Sequence, residues 1–510
     1  MTPGLMHRGL ESAAQRFPDH PAVLTGDDRW TFAELDRAAD SAARHFAIQG
    51  VGAGSRLAVM TSNRPEFVVV VHALSKLGAV PVLLNSAWKA LEVDTALELT
   101  GATAAVADGP GVELLAAALG EGTVLDLDGP EAASVCDRAG TVPPPDSGVG
   151  PVEDDDAVFV FSSGTTDRPK AVRHTHRSIT LGTTHWVQAL ALGHDDRFQV
   201  ATPPSHILGL LNLLAAAAAG ATVRLHRRFD LDAELAAIQD DRMTLEMAVA
   251  PIALAMANHP DLESYDLSSL RYVMWGATPV TPAVAETVTA RTGVRWLPAY
   301  GTSEVPVLAA NPVAEPDRWR LDSAGLPVGD VELRVVDLDS GAVLAAGQTG
   351  EVQVRSASAM EGYLPDEATA DAFDDGWYRT GDVGWIEPEG WVHLTDRRKE
   401  MIKVSGFQVA PAEIEAVLHG HPDVADCAVF GLADERAGEV PVAAVQLVPG
   451  AGVTGEDLQR LVADALAGYK RLHHVVLVDA VPRTPSGKVL RRTLRDEWSG
   501  RLSPAAAGAG

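Results

Sequence analysis

Between Thr31 and Leu84 the hydrophobic period switches from helical to extended and back, and that alternation confines the chain to an α/β fold. Thr31-Phe-Ala-Glu34 has the form of a capping box, in which hydroxyl and carboxylate each satisfy a free amide at a helix start. Phe32, Leu35, Ala39, Ala42 and Phe46 follow at helical spacing. Arg56 to Thr61 reads as a short apolar strand, Pro65 opens a helix to about Leu77, and Ala79 to Leu84 reads as the next strand. Strands separated by helices predict parallel pairing, because a parallel pair needs a crossover between its members.

The 510 residues provide for two to four structural units. Pro143 to Pro151 reads as a linker, followed by the acidic run Glu153 to Asp156 and the apolar strand Ala157 to Phe161. From about Gly325 the segments become short and β-rich: Val331–Val336, Glu351–Val354 and Trp391–Leu394. A last unit begins near Arg397, with helices at Ala412–Leu418 and Gly455–Leu466 and strands at Asp426–Phe430, Val440–Leu447 and Val475–Val478. The Ala/Gly-rich tail, 502–510, is expected to be disordered.

Composition narrows the function classes. With 41 basic and 69 acidic side chains the formal charge is −28, so a nucleic-acid or anionic-membrane binder is not expected. A small phosphorylated ligand needs only a local group of cations and N–H donors, and stays open. Two cysteines, Cys136 and Cys427, are too far apart in sequence to suggest a metal site, and a reducing compartment is expected. Met1 to Leu24 has no apolar core of the signal-peptide kind. The apolar run Leu208 to Val223 is too short for a membrane span and reads as a buried helix. A cytoplasmic protein, monomer or homodimer, is the expectation.

The most informative stretch is Phe161-Ser-Ser-Gly-Thr-Thr-Asp-Arg-Pro-Lys-Ala-Val172. A buried strand runs into a turn of hydroxyls and Gly that ends in a Lys, offering N–H groups, hydroxyls and a cation to phosphate oxygens. No Walker A loop occurs. By itself such a loop could be no more than a turn. It is followed in order by Tyr300-Gly-Thr-Ser-Glu304, Trp377-Tyr-Arg-Thr-Gly-Asp382, Asp396-Arg-Arg-Lys-Glu-Met-Ile-Lys403 and Pro485-Ser-Gly-Lys488.

This ordered series resembles the adenylate-forming superfamily of acyl-CoA synthetases, peptide-synthetase adenylation domains and luciferases, over about Trp30 to Arg492. The resemblance implies a large α/β N-terminal domain (1–396), built of parallel-sheet layers plus a β-rich subdomain. It also implies a small, mobile α+β C-terminal domain (397–510) with its hinge near Lys399. It implies a two-step reaction using ATP, CoA and Mg²⁺: a carboxylic acid becomes an acyl-adenylate, and a thiol then displaces AMP. Acyl- or aryl-CoA ligases are the closest part of that superfamily.

By matched motif, Ser163, Gly164, Thr165, Thr166 and Lys170 would surround the ATP phosphates. Tyr300 and Gly301 would lie against adenine, Thr302 would contact the α-phosphate, and Glu304 would help hold Mg²⁺, which takes few protein ligands. Asp382 would accept from the ribose hydroxyls, with Arg397 nearby. Lys488 would bridge the acyl carboxylate and the α-phosphate. Lys399 matches the hinge, while Lys403, Ser405, Gly406 and Phe407 match the loop that serves thioester formation. Arg436, Lys470 and Arg471 are surface candidates for CoA phosphates. His206 and Gly209 match the segment that gates the acyl pocket, and Trp275, Gly276, Ala277 and Val305 match its wall. Relatives that activate amino acids carry an acid near His206, and none stands there. Small residues after a Trp fit a bulky apolar acid, aryl or polycyclic.

The phosphate loop departs from the family pattern, Thr-Thr-Gly-x-Pro-Lys-Gly. Asp167 and Ala171 stand where the two glycines would be, with loss of their tolerance of positive φ. Two unit charges 5 Å apart at an effective dielectric of 20 repel by about 3 kcal/mol. An unpaired Asp167 would therefore weaken binding of a triphosphate far more than that of an acyl-adenylate. Two ligase readings follow. In one, adenylation is impaired and the protein mainly forms the thioester from acyl-AMP supplied by a separate adenylating enzyme. In the other, Asp167 pairs with Arg168 or Arg173 and both half-reactions are retained. A non-catalytic adenylate or acyl sensor is a third.

Overall fold

The computed structural model describes residues 4–120, 122–140, 150–162, 170–276, 282–405, 407–434, 436–484 and 487–502. The capping box forms as expected: Thr31 N–H donates to Glu34 Oε2 at 2.7 Å and Glu34 N–H to Thr31 Oγ1 at 3.2 Å, opening the helix Phe32–Ile48. The strand Arg56–Met60, helix Pro65–Lys76 and strand Val80–Leu83 follow.

These strands belong to a seven-stranded sheet of order Gly362–Leu364, Lys170–Thr175, Asp156–Ser162, Val80–Leu83, Arg56–Met60, Ala104–Ala107, Val124–Asp126. The strands Asp156–Ser162 to Val124–Asp126 pair in parallel, as the helix crossovers require. Lys170–Thr175 and Gly362–Leu364 add antiparallel strands at one edge. A four-stranded sheet (Asp28–Thr31, Pro21–Thr25, Thr222–Leu225, Arg197–Val200) and a five-stranded sheet running from Leu245–Ala248 to Leu326–Pro327 complete the layers. An antiparallel β-rich unit then spans Glu332–Val336 to Val392–Arg397.

Beyond Arg397 the strands Ile402–Val404, Phe407–Val409, Val424–Asp434, Gly438–Leu447 and His474–Leu477 form their own sheet. Residues of Val424–Asp434 alternate between its faces: Cys427 and Val429 pack into one apolar cluster, Ala428 and Phe430 into another. The chain is thus a large N-terminal domain of mixed sheets with a smaller α+β C-terminal domain.

The apolar run at Leu208 is not one helix. The helix Ile207–Ala219 stops at Gly220 in the left-handed conformation (φ +78°), and Thr222–Leu225 continues as a strand. A Cβ on Gly220 would meet the Phe17 ring at 2.6 Å, so Gly both ends the helix and admits that ring. Among the described residues no helix is long and apolar enough to cross a membrane. Cys136 and Cys427 are buried free thiols. The expected disordered tail begins at Leu502, which instead closes the helix Arg491–Leu502; 503–510 lie outside the described residues.

Candidate active site

Strand Trp296–Tyr300 delivers Tyr300 to a tight turn. Gly301 is obligatory there, because a Cβ would lie 2.1 Å from the Pro306 carbonyl oxygen. Thr302 closes the turn, its N–H donating to Val305 O at 2.9 Å and its hydroxyl accepting from Val305 N–H at 3.0 Å. Behind it His174, on the strand after the phosphate loop, lies 2.8 Å from Ser303 O; burial lowers its pKa to about 4, so the ring is neutral.

Three motifs meet at Asp382, which is 7% exposed. The Tyr300 hydroxyl donates to Asp382 Oδ2 at 2.6 Å, and Arg397 Nε forms an ion pair with Oδ1 at 2.9 Å. Asp382 and Arg397 are facing partners in the antiparallel pair of strands Trp377–Ile386 and Val392–Arg397, so the pairing register places the ion pair. Burial first, then the Asp382 charge, raise the Tyr300 hydroxyl well above its ordinary range, keeping it a donor. Glu304 accepts from the Tyr363 hydroxyl at 2.7 Å, which is 3.3 Å from that of Tyr378; the Lys170 ammonium stands 5.4 Å over the Tyr363 ring. The sequence reading did not single out Tyr363 or Tyr378. Gly362-Tyr363 pairs with the Lys170 strand, a long-range contact with no local signature.

The C-terminal domain contributes Lys488 from a turn closed by Thr484. Lys488 N–H donates to Thr484 Oγ1 at 3.1 Å and Thr484 N–H to Lys488 O at 2.8 Å. Gly487 has φ +86°, and a Cβ there would lie 2.8 Å from Pro251 Cδ, so this turn packs closely on the N-terminal domain. Burial, then the charges of Arg397 and Lys399, lower the Lys488 pKa to about 8. The same location lowers His206 to about 4, through burial and then Lys488. His206 also caps the helix Ile207–Ala219, its Nδ1 accepting from Leu208 N–H at 3.2 Å; the proton therefore sits on Nε2.

The expected acyl-pocket wall is divided. Among the described residues, a Cβ on Gly276 would meet only Ala299 O at 3.9 Å. Trp275 is instead core, 1% exposed and edge-on to Trp296 at 5.4 Å. Val305 is fully buried, and Gly209 serves packing, because its Cβ would lie 2.3 Å from Pro203 O. Ala277 lies outside the described residues, as do Ser163, Gly164, Thr165, Thr166, Asp167, Arg168 and Gly406.

Ala171 corrects the reading of the atypical loop. It sits inside the strand Lys170–Thr175, paired with Phe161 and Leu364, fully buried and without positive φ. The methyl fills core, and no glycine conformation is needed there. Arg173, a proposed partner for Asp167, is engaged by Asp156 at 3.3 Å and Asp366 at 3.5 Å.

The hinge-side residues share Arg397 with the site at Asp382. Arg397, Lys399 and Lys403 line a cavity of about 480 Å³ with Thr380, Gly381 and Gln408. Ser405, at φ +50°, turns the hairpin Ile402–Val404/Phe407–Val409, and Phe407, 54% exposed, stacks on Tyr469 at 4.5 Å. Lys470, a candidate CoA contact, is ion-paired with Glu413; Arg436 and Arg471 stand on the same domain.

Residues 10–364 match the AMP-binding enzyme family, and residues 413–488 match the AMP-binding enzyme C-terminal domain. A 4-coumarate–CoA ligase of Oryza sativa subsp. japonica is 36% identical over 530 residues, covering 96% of this chain and 92% of that protein. A feruloyl-CoA synthase of an Amycolatopsis species is 35% identical over 488 residues, with 94% and 96% covered. The solved structure of an anthranilate CoA ligase in complex with anthranoyl-AMP superposes with a TM-score of 0.90 at 25% identity, covering 99% of each chain.

Proposed function

This chain belongs to the AMP-binding enzyme family, the adenylate-forming superfamily, and from that premise we propose that it joins an aryl or other bulky apolar carboxylic acid to CoA through an acyl-adenylate. The observation that carries the reading is the linked trio Tyr300, Asp382 and Arg397, with the turn that bears Lys488 packed on the same domain through Gly487 and Pro251. In the first step a substrate carboxylate oxygen bonds to the α-phosphorus of ATP and the bond to pyrophosphate breaks. Lys488 would hold the carboxylate against the α-phosphate, and Lys170 would offset charge on the departing phosphates. Asp382, fixed by Tyr300 and Arg397, would accept from ribose. In the second step the CoA sulfur bonds to the acyl carbon and AMP leaves.

Glu304 is a hard oxygen donor beside Lys170 and Tyr363, and the described residues contain no group of three metal-binding side chains. That donor set fits Mg²⁺ held mainly by phosphate oxygens, with the ion neutralising phosphate charge. The cinnamate-type acids named for the relatives support an aryl acid. A cytoplasmic setting agrees with the buried free thiols.

Asp167 favours the second reading, in which the protein mainly converts a supplied acyl-adenylate to its thioester. The deciding experiment offers ATP with 4-coumarate, ferulate and polycyclic acids and measures pyrophosphate. A parallel reaction offers synthetic acyl-adenylate with CoA. Pyrophosphate release with an aryl acid supports the two-step reading. Thioester formation only from the adenylate supports the second, and neither product leaves an adenylate or acyl sensor.

A further inference from the structure

The turn bearing Lys488 is held from behind by an ion pair that the family motif does not include. Arg483 Nη1 donates to the Gly487 carbonyl oxygen at 2.8 Å, one residue before Lys488. The other face of the guanidinium is bidentate on Asp426, Nη2 to Oδ1 at 2.8 Å and Nε to Oδ2 at 3.1 Å. Asp426 is itself anchored: its Oδ1 accepts from Cys427 N–H at 2.8 Å and lies 3.3 Å from His419 Nε2. It stands where the register of Val424–Asp434 against Gly438–Leu447 shifts, an irregularity that re-aims a strand side chain. Both partners are largely buried, with side-chain exposures of 15% and 11%.

A largely buried guanidinium held at Nε, Nη1 and Nη2 is a stiff element, because another rotamer would break the bidentate pair and the bond to the turn together. Its role matters most where the turn leaves the C-terminal sheet and meets Pro251 of the other domain. We propose that Arg483, oriented by Asp426, is a positioning residue that fixes the Gly487 peptide and thereby aims the Lys488 ammonium at the reacting carboxylate during adenylation. This rests on the reading of Lys488 as the lysine of the acid–ATP step. Arg483 touches no substrate, and the thioester step, in which Lys488 has no assigned part, does not need it.

The test separates the half-reactions in the full chain. Adenylation is followed as pyrophosphate formed from ATP and 4-coumarate with hydroxylamine as the trap; thioester formation is followed from synthetic coumaroyl-adenylate and CoA. Arg483→Met should lower the adenylation kcat about 10- to 100-fold, with KM for ATP nearly unchanged, as expected when a reacting group is misaimed. The same variant should form thioester from the adenylate at close to the wild-type rate, and Arg483→Lys should recover part of the loss. Asp426→Asn should give a smaller loss of the same kind and serves if Arg483→Met does not fold. In a Lys488→Ala background, Arg483→Met should cost nothing further, since both act through one group.

Equal losses in both half-reactions, or additive losses in the double variant, would overturn the proposal by showing general disruption. Retained adenylation in Arg483→Met while Lys488→Ala loses it overturns the proposal alone. Retained adenylation in Lys488→Ala, or none in the unaltered protein, overturns the reading of Lys488 and the proposal with it.

Discussion

Tyr300 and Asp382 share a 2.6 Å hydrogen bond that joins two sheets, and Arg397 holds the other oxygen of the same carboxylate. The carboxylate is thus fixed before any ligand arrives, and its remaining lone pairs are what a vicinal diol would use. Asp382→Asn keeps the shape but removes the charge facing Arg397. It is expected to raise KM for ATP about 10- to 100-fold, the scale of a charge-assisted hydrogen bond. Steady-state kinetics with ATP varied, alongside fluorescence titration with AMP, reads the effect.

Tyr363 fixes the orientation of Glu304 by donating at 2.7 Å, while its ring carries the Lys170 ammonium. Tyr363→Phe keeps the ring and removes the donor. The Mg²⁺ concentration for half-maximal adenylation should rise about tenfold, the usual effect of removing a hydrogen bond that orients a metal-binding carboxylate. KM for the acid should not move. A Mg²⁺ titration at saturating ATP checks it.

How much of this was legible in the sequence follows from how local each signal is. The Thr31 cap depends on a residue three positions on, and the alternation of strand and helix after it on local hydrophobic period, and those elements form as read. The Leu208 run was misread because only the left-handed turn at Gly220 divides helix from strand. Trp275, Val305 and Gly209 match the pocket segments by motif, while their burial or close packing comes from neighbours on more than one side, which no motif records. Tyr363 on Glu304 and Arg483 on Gly487 are set by chain pairing and by a turn, and no motif spacing carried them.

The two departures in the phosphate loop are expected to behave differently. Ala171 is a buried methyl in a strand, so Ala171→Gly loses packing and adds backbone freedom, lowering stability by roughly 1 kcal/mol without raising adenylation. Asp167→Gly removes an anion from the loop and should raise pyrophosphate formation if charge is what limits it. Denaturant unfolding of the first variant and pyrophosphate assays of both distinguish packing from charge.

With Lys488 as the proposed lysine of the acid–ATP step, adenylation should have a pH limit. Burial first, then Arg397 and Lys399, bring its pKa to about 8, so the ammonium is lost as pH rises through that value. Adenylation should show a falling limb near pH 8. Lys399→Met removes one of the repelling charges, which favours the ammonium, and should move that limb to higher pH by roughly half a unit. Rates of hydroxamate formation from pH 6 to 10 measure the shift, whereas an unmoved limb would assign it to another group.

The buried pair Glu234 and Glu246 should make the fold sensitive to alkali. Both are nearly inaccessible; Glu246 Oε2 accepts from Gln199 Nε2 at 2.7 Å, and Glu234 Oε1 is buried without a hydrogen-bond partner among the described residues. Burial pushes both carboxyls above the ordinary carboxylate range, and for Glu234 the charge of Glu246 adds to it. In the folded protein they therefore hold protons that the unfolded chain releases at ordinary carboxylate pH. Their contribution is complete below that unfolded pKa and is lost as pH rises through the raised folded pKa values, at about 1.4 kcal/mol per pH unit for each group in the window. Glu246→Gln removes one titration and relieves Glu234. Guanidinium unfolding at pH 6 and pH 8 should show the variant gaining on the unaltered protein by on the order of 2 kcal/mol. A constant difference between the two pH values would mean that this pair keeps ordinary carboxylate behaviour despite its burial.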